Sequence, residues 1–174
     1  MGREVRRVPA NWQHPKDEKG HYIGMFEGDN FEKYAQEWDA DAAKWAEGMQ
    51  RDYSAPGAYE PIDLKYAGET YEEYAGPRPD PARYMPNWPE AERTHWQMYE
   101  NVTEGTPISE AHETPEALAR ELARTGVWGG YSYKTWLSMI HAGYAPSMTI
   151  IPGHGVEDGV ISTARMQDEK EGTK

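Results

Sequence analysis

The chain has 174 residues, with 30 acidic against 18 basic side chains, a formal charge of −12 and no cysteine. The lack of cysteine excludes disulfides, thiolate catalysis and cysteine-based zinc sites. The charge disfavours non-specific binding to nucleic acid or anionic membrane and favours basic partners, and no apolar run approaches the roughly 20 residues of a membrane span.

Leu, Ile, Val and Phe number 19, no more than Trp and Tyr combined. A highly charged chain so poor in aliphatics borders on disorder. Each Trp or Tyr, however, buries about 150–250 Å², which predicts a folded protein with an aromatic-rich core. The N-terminus, MGREVRRVPANW, has no apolar stretch of signal-peptide type, so the expectation is a soluble protein inside the cell.

Residues 1–26 read as an extended, basic segment: a strand around Val5 and Val8, then a turn at Pro9 and Pro15, then a short extended piece at Tyr22-Ile23. Residues 30–49 give the clearest helix, with Asp29 or Asn30 as cap. Phe31, Tyr34, Ala35, Trp38, Ala42, Trp45 and Met49 recur at helical spacing and form one apolar stripe. Glu32, Glu37, Asp39, Asp41 and Glu47 take the remaining arc, which predicts a solvated acidic back.

Residues 50–90 are broken by repeated Gly and Pro, with one helical turn expected at Thr70–Ala75. A connection this long is functional or wraps the body. Its tyrosines and Trp88 predict an ordered arm pinned by aromatic contacts.

Residues 93–103 alternate as a strand rich in β-formers. Glu104-Gly105-Thr106-Pro107 turns the chain, and Ile108 begins a short pairing strand. Helices follow at 115–125, capped by Thr114 with Pro115 at its first position and stopped by Gly126, and at 133–142, capped by Ser132 and ended by Gly143. Ser147–Ile151 reads as a strand, Pro152–Gly155 as a turn, and Val156–Ser162 as its partner. The tail from Arg165 is polar and expected to fray. Together these elements predict one α+β domain over 1–174: an extended segment (1–26), the striped acidic helix (30–49), an irregular arm (50–90), an α+β core (91–162) and a tail (165–174). Within the core, a small, mostly antiparallel sheet is expected from the segments near 94–103 and 147–162, with both later helices over one face.

Catalytic signals are sparse. The six histidines include no His-x-x-x-His pair and no His-Glu-x-x-His. His95 and His112 meet only if the strand register allows it. Gly153-His154-Gly155 reads as a hairpin turn, and Gly129-Gly130 before the Ser132-capped helix is a weak anion motif. No Gly-x-Ser-x-Gly occurs. We therefore assign no catalytic, metal or cofactor residue. Two surfaces are candidates for partner binding. One is Glu32, Glu37, Asp39 and Asp41 on the helix. The other is the basic-aromatic cluster Arg6, Arg7 and Trp12, whose plainer reading is packing of an edge strand against the chain's own acid.

The blocks RRVPANW with His14-Pro15, ERTHWQMYE from Glu92, EGTPIS from Glu104, Thr114-Pro115-Glu116 and Ala145-Pro146-Ser147-Met148 resemble a group of small acidic bacteriophage and prophage proteins. That resemblance brings no activity and no catalytic residue. It implies a phage product in the cytoplasm of a bacterial host, where such proteins often bind host or host-defence factors. The expectation is a non-enzymatic protein that inhibits or redirects such a factor by pairing its own acidic surface with a basic surface of that partner, with acidic nucleic-acid mimicry as one form. A small enzyme acting on a nucleotide or nucleic acid, and a virion or assembly component, are the alternatives.

Overall fold

The structure, a computed structural model, describes residues 2–101, 105–126, 129–153 and 155–172. In chain order its regular elements are β1 (Arg3–Val8), α1 (Phe31–Ala46), β2 (Met49–Arg51), β3 (Tyr59–Pro61), α2 (Tyr71–Ala75), β4 (His95–Glu100), β5 (Thr106–Pro107), α3 (Pro115–Thr125), α4 (Tyr133–Ala142), β6 (Tyr144–Ala145), β7 (Met148–Ile151), β8 (Gly155–Asp158) and α5 (Gly159–Gly172). The fold is α+β with antiparallel sheets. Among the described residues no helix is long and apolar enough to cross a membrane. The chain divides into two compact units, 1–25 with 88–174, and 26–87.

The first unit is built on a four-stranded sheet ordered β5-β4-β1-β6. Register places Val5 opposite Met98 and Arg6 opposite Gln97, so Val5 and Met98 share one face while Arg6, Gln97 and Tyr99 share the other. On the first face Met98 joins Leu118, Ala119 and Leu122 of α3, Trp136, Met139 and Ile140 of α4, and Val160 of α5 in one buried cluster. The capping signals explain why α3 and α4 form where they do. Thr114 Oγ1 accepts from the Ala117 amide at 3.1 Å and Ser132 Oγ from the Thr135 amide at 3.2 Å. Gly126 and Gly143 end the two helices in the left-handed conformation.

The opposite face is covered by the chain after β1. His14 is buried there beside Tyr99 and Gln97. Its Nε2 faces the Ile23 carbonyl and its Nδ1 lies 3.3 Å from the Tyr99 hydroxyl. The Tyr99 hydroxyl donates to Gln97 Oε1 at 3.0 Å and accepts from the Trp12 indole at 3.2 Å. Burial lowers the His14 pKa from its usual 6.5, and Arg6 lowers it further, against the raising effect of the Ile23 carbonyl. Folding therefore favours neutral His14. Its contribution to stability is complete above about pH 6.5, where the unfolded chain is also neutral, and is lost as pH falls through the lowered folded value. Denaturant midpoints should fall between pH 7 and pH 5, and His14→Gln should flatten that slope. An unchanged slope in the variant would remove His14 as its source. Carboxylates with lowered pKa, Asp168 beside Lys134 among them, act in a separate window below about pH 4.

Three features of this unit differ from the sequence expectation. β1 is an interior strand between β4 and β6, not an edge. The segments at 147–162 do not join the main sheet; β7 and β8 form their own hairpin. The chain from Gly159 is helical to Gly172, replacing both the second half of the expected strand and the expected fraying tail. Asp158 starts that helix by accepting from the Val160 and Ile161 amides at 2.9 and 3.3 Å. A side chain at Gly159 would collide with the Pro146 carbonyl, so the entry requires glycine. α5 then buries Val160, Ser162 and Ala164, which holds an otherwise polar segment in place. Val102–Glu104, part of the expected strand and turn, and His154 lie outside the described residues.

The second unit is α1 with the segment that follows it. The β2–β3 hairpin and α2, the latter held by a Thr70–Glu73 capping box, give this segment more regularity than the sequence suggests. Its aromatics meet the α1 stripe. Trp45 stacks on Tyr74 with centroids 4.4 Å apart, and Trp38 meets Tyr71 edge-on at 5.1 Å. Both indoles donate to backbone carbonyls of the segment, Trp38 to Gly76 at 3.1 Å and Trp45 to Glu69 at 2.8 Å. Buried donors are thus satisfied as well as rings packed. α1 is entered through a 3-10 turn at Gly28–Asn30, and Asn30 makes no side-chain capping bond. Tyr34 and Tyr53 are exposed, at 43% and 81%.

Candidate partner-binding surface

The structure separates the four acidic candidates of α1 into three environments. Glu32 and Glu37 are exposed and line a shallow groove of about 510 Å³ with Asp29, Lys33, Gln36, Ala40 and Arg51. Positions 29, 32, 33, 36, 37 and 40 follow helical spacing, so they share the side of α1 opposite its aromatic stripe. Asp39 is exposed but clamped by Arg78, whose Nε and Nη2 each approach a carboxylate oxygen at 2.8 Å. That guanidinium holds the Asp39 pKa below its ordinary value.

Asp41 does not belong to the solvated arc. Its side chain is 11% exposed and pairs with Arg51 at 2.8 Å. The Tyr59 hydroxyl donates to it at 2.7 Å and the Tyr71 hydroxyl at 3.4 Å. The hydrogen bond to Asp41 raises the Tyr59 and Arg51 pKa values, and burial with the nearby carboxylate pushes Tyr71 to about 12. At about 100° per residue, position 41 falls roughly 20° from Tyr34 and 40° from Trp45, at the margin of the apolar stripe. The helical wheel itself carried this signal.

The basic-aromatic cluster is turned inward within its own unit. Arg6 is 5% exposed, pairs with Glu4, donates to the Met25 carbonyl at 2.7 Å and lies 4.4 Å over the Tyr99 ring. Arg7 lies 4.3 Å over Trp96 and donates to the Arg93 carbonyl. Trp12 meets Trp88 edge-on at 4.7 Å. Arg6 and Trp12 hold the sheet to its covering segment, while Arg7, on the other face beside Trp96, braces the chain that enters β4. The plainer reading of the residue types, packing against the chain's own acid, describes Arg6 with Glu4, whereas the face each side chain takes depends on the β1–β4 register.

His112 bridges to Trp96, one position from His95, so the two histidines are not a cross-strand pair. Among the described residues no group of three or more His, Asp or Glu is placed to hold a metal. Gly129-Gly130 leads into α4, whose first turn is already capped by Ser132. A groove between α4 and α5 is lined by Lys134, Asp168 and Arg165. Lys134 pairs with Asp168 at 2.8 Å and Arg165 with Glu157 at 2.9 Å. Sequence reasoning did not find a second concavity in the 26–87 unit, a cleft of about 290 Å³ formed by Gly28, Asp29, Phe31 and Glu32 with Pro81 and Tyr84–Asn87. Its signal was there in part, since Phe31 precedes Glu32 at the start of the helix and Tyr84-Met85 stand inside the Pro-rich run between Pro81 and Pro86.

Comparison with protein-family models, with curated proteins and with solved structures finds no match to this chain.

Proposed function

We propose that this is a non-enzymatic bacteriophage protein that works in the cytoplasm of a bacterial host by binding a basic surface of a host or host-defence protein, which it inhibits or redirects. The observation that carries this reading is the groove along α1, where Glu32 and Glu37 stand open on the side away from the packed stripe. A net charge of −12 strengthens the local field. The phage setting is supported by the resemblance of the sequence blocks. Acidic nucleic-acid mimicry is one form of the same contact, with carboxylates in place of phosphates. Exposed aromatics of the segment after α1, Tyr53 foremost, are the side chains available as anchors.

The test is capture of partners from a bacterial host lysate with the full chain, followed by binding kinetics of the purified pair at two salt concentrations. Association should slow as salt rises, because exposed charges are screened within about 8 Å at physiological ionic strength. A partner whose association ignores salt would refute the reading, as would turnover of a nucleotide or nucleic acid that survives further purification.

A further inference from the structure

We infer that two copies of this chain pair through the outer face of the β7–β8 hairpin. An antiparallel hairpin packed on one side ordinarily turns its apolar residues inward and its polar ones to water. Here the most exposed side chains are the apolar ones. Thr149 and Glu157 stand opposite each other in the ladder and both turn to α5, with Thr149 Oγ1 2.7 Å from Ser162 Oγ and Glu157 2.9 Å from Arg165. Ile151 shares that inner side, half-buried. Met148, Ile150 and Val156 take the other face, at 67%, 80% and 64% exposure, with Ile150 directly opposite Val156. A slip of one residue would turn this set inward. The Gly159 amide prevents it by bonding the Ser147 carbonyl at 3.1 Å, which carries the observed register on to the start of α5. Apolar side chains gathered on one open face, unlike scattered ones, mark a contact surface.

Charge selects the occupant. No Asp, Glu, Lys or Arg occurs between Lys134 and Glu157, the longest such run in the chain. The carboxylate on this side of the ladder, Asp158 opposite Met148, already accepts from the Tyr131 hydroxyl at 2.7 Å and from the Val160 and Ile161 amides. A basic partner drawn to α1 would find no open acid here and would give up the hydration of its own charges. The face fits an uncharged apolar surface, and the same face on a second copy is one. Two chains of charge −12 repel each other, and an uncharged strand face is where they approach at least cost. A twofold axis lays the face onto itself, so the same three side chains are covered in both copies. A standard interface takes about 800 Å² and 20–30 residues from each partner. Three side chains fall short of that, so the dimer is weak and fills only at high concentration.

Sedimentation equilibrium of the full chain, at concentrations up to about 1 mM, should show the mass rising toward that of two chains. Raising salt from about 50 to 300 mM should strengthen the association, because repulsion between the copies is screened. That sign is opposite to the one expected for a basic partner at α1, so the two readings fail separately. Ile150→Lys sets a charge in the contact and should weaken the dimer about tenfold or more. Val156→Thr, which keeps the β-branch, should weaken it several-fold. Both positions are exposed, so melting points in dilute solution should not move. Leu64→Lys, at 89% exposure in the other unit, should leave the dimer as it is. A chain that stays monomeric at the highest concentration would overturn the proposal. So would a dimer that salt weakens, or one indifferent to both hairpin variants. Loss of a captured host partner on Ile150→Lys, with the parent chain monomeric throughout, would give the face to that partner instead.

Discussion

Trp136→Ala is expected to be the most damaging single substitution in the 1–25 and 88–174 unit. Trp136 is fully buried and stands in the cluster of Met98, Leu118, Leu122, Met139, Ile140 and Val160, with Tyr131 edge-on at 5.2 Å. Truncating a buried Trp costs about 3–5 kcal/mol, through lost transfer energy and the cavity left behind. That is a large part of a typical total of about 5–15 kcal/mol. Trp136→Phe should cost much less. The indole N–H is buried without a hydrogen-bond partner, so phenylalanine gives up area but no bond. Chemical denaturation of the two variants checks both expectations. Similar losses for Phe and Ala would mean that the indole nitrogen is bonded after all, and no loss for Ala would mean that α4 does not pack on the sheet.

The second large effect is a contrast on one helix. Asp41→Lys removes the partner of Arg51 and Tyr59 and sets a cation beside a cation. Breaking a buried pair costs about 3–5 kcal/mol. The Arg51 side chain is 35% exposed, so solvent screening places the loss nearer 3 kcal/mol. Glu37→Lys, on the open groove, should stay within about 0.5 kcal/mol of the parent. Melting curves of the two variants, measured together, decide the matter. Equal melting points would return Asp41 to the solvated arc, and equal losses would make the groove part of the packed interior.

Local signals made some elements readable and could not reach others. α3 and α4 were legible because cap, periodicity and glycine stop agree within a dozen residues of chain: Thr114 with Gly126, Ser132 with Gly143. The aromatic stripe of α1 was legible from periodicity alone, since Asn30 makes no side-chain capping bond. α5 was not. Val160, Ile161 and Thr163 favour extended chain, and tertiary packing against α4 and the strands before it holds the segment helical. The cap at Asp158 was a local clue outweighed by that β-propensity. Arg6 is the clearest case of information absent from the local sequence. Whether it faces solvent or Tyr99 depends on the residue opposite it in β4 and on the segment that covers that face. For the surface, Glu32 and Glu37 were legible as exposed acid. The cleft was not, because it joins residues 28–32 to 81–87 across some fifty positions of irregular chain.

The central claim is that exposed acid on α1 guides this protein to a basic partner. Its most direct test is the association rate of the captured partner with the parent chain and with a Glu32→Lys/Glu37→Lys variant, at about 50 and 300 mM salt. The account predicts association about tenfold slower for the variant at low salt, convergence of the two rates at high salt, and equal melting points. Equal rates at low salt, with both proteins folded, would contradict it.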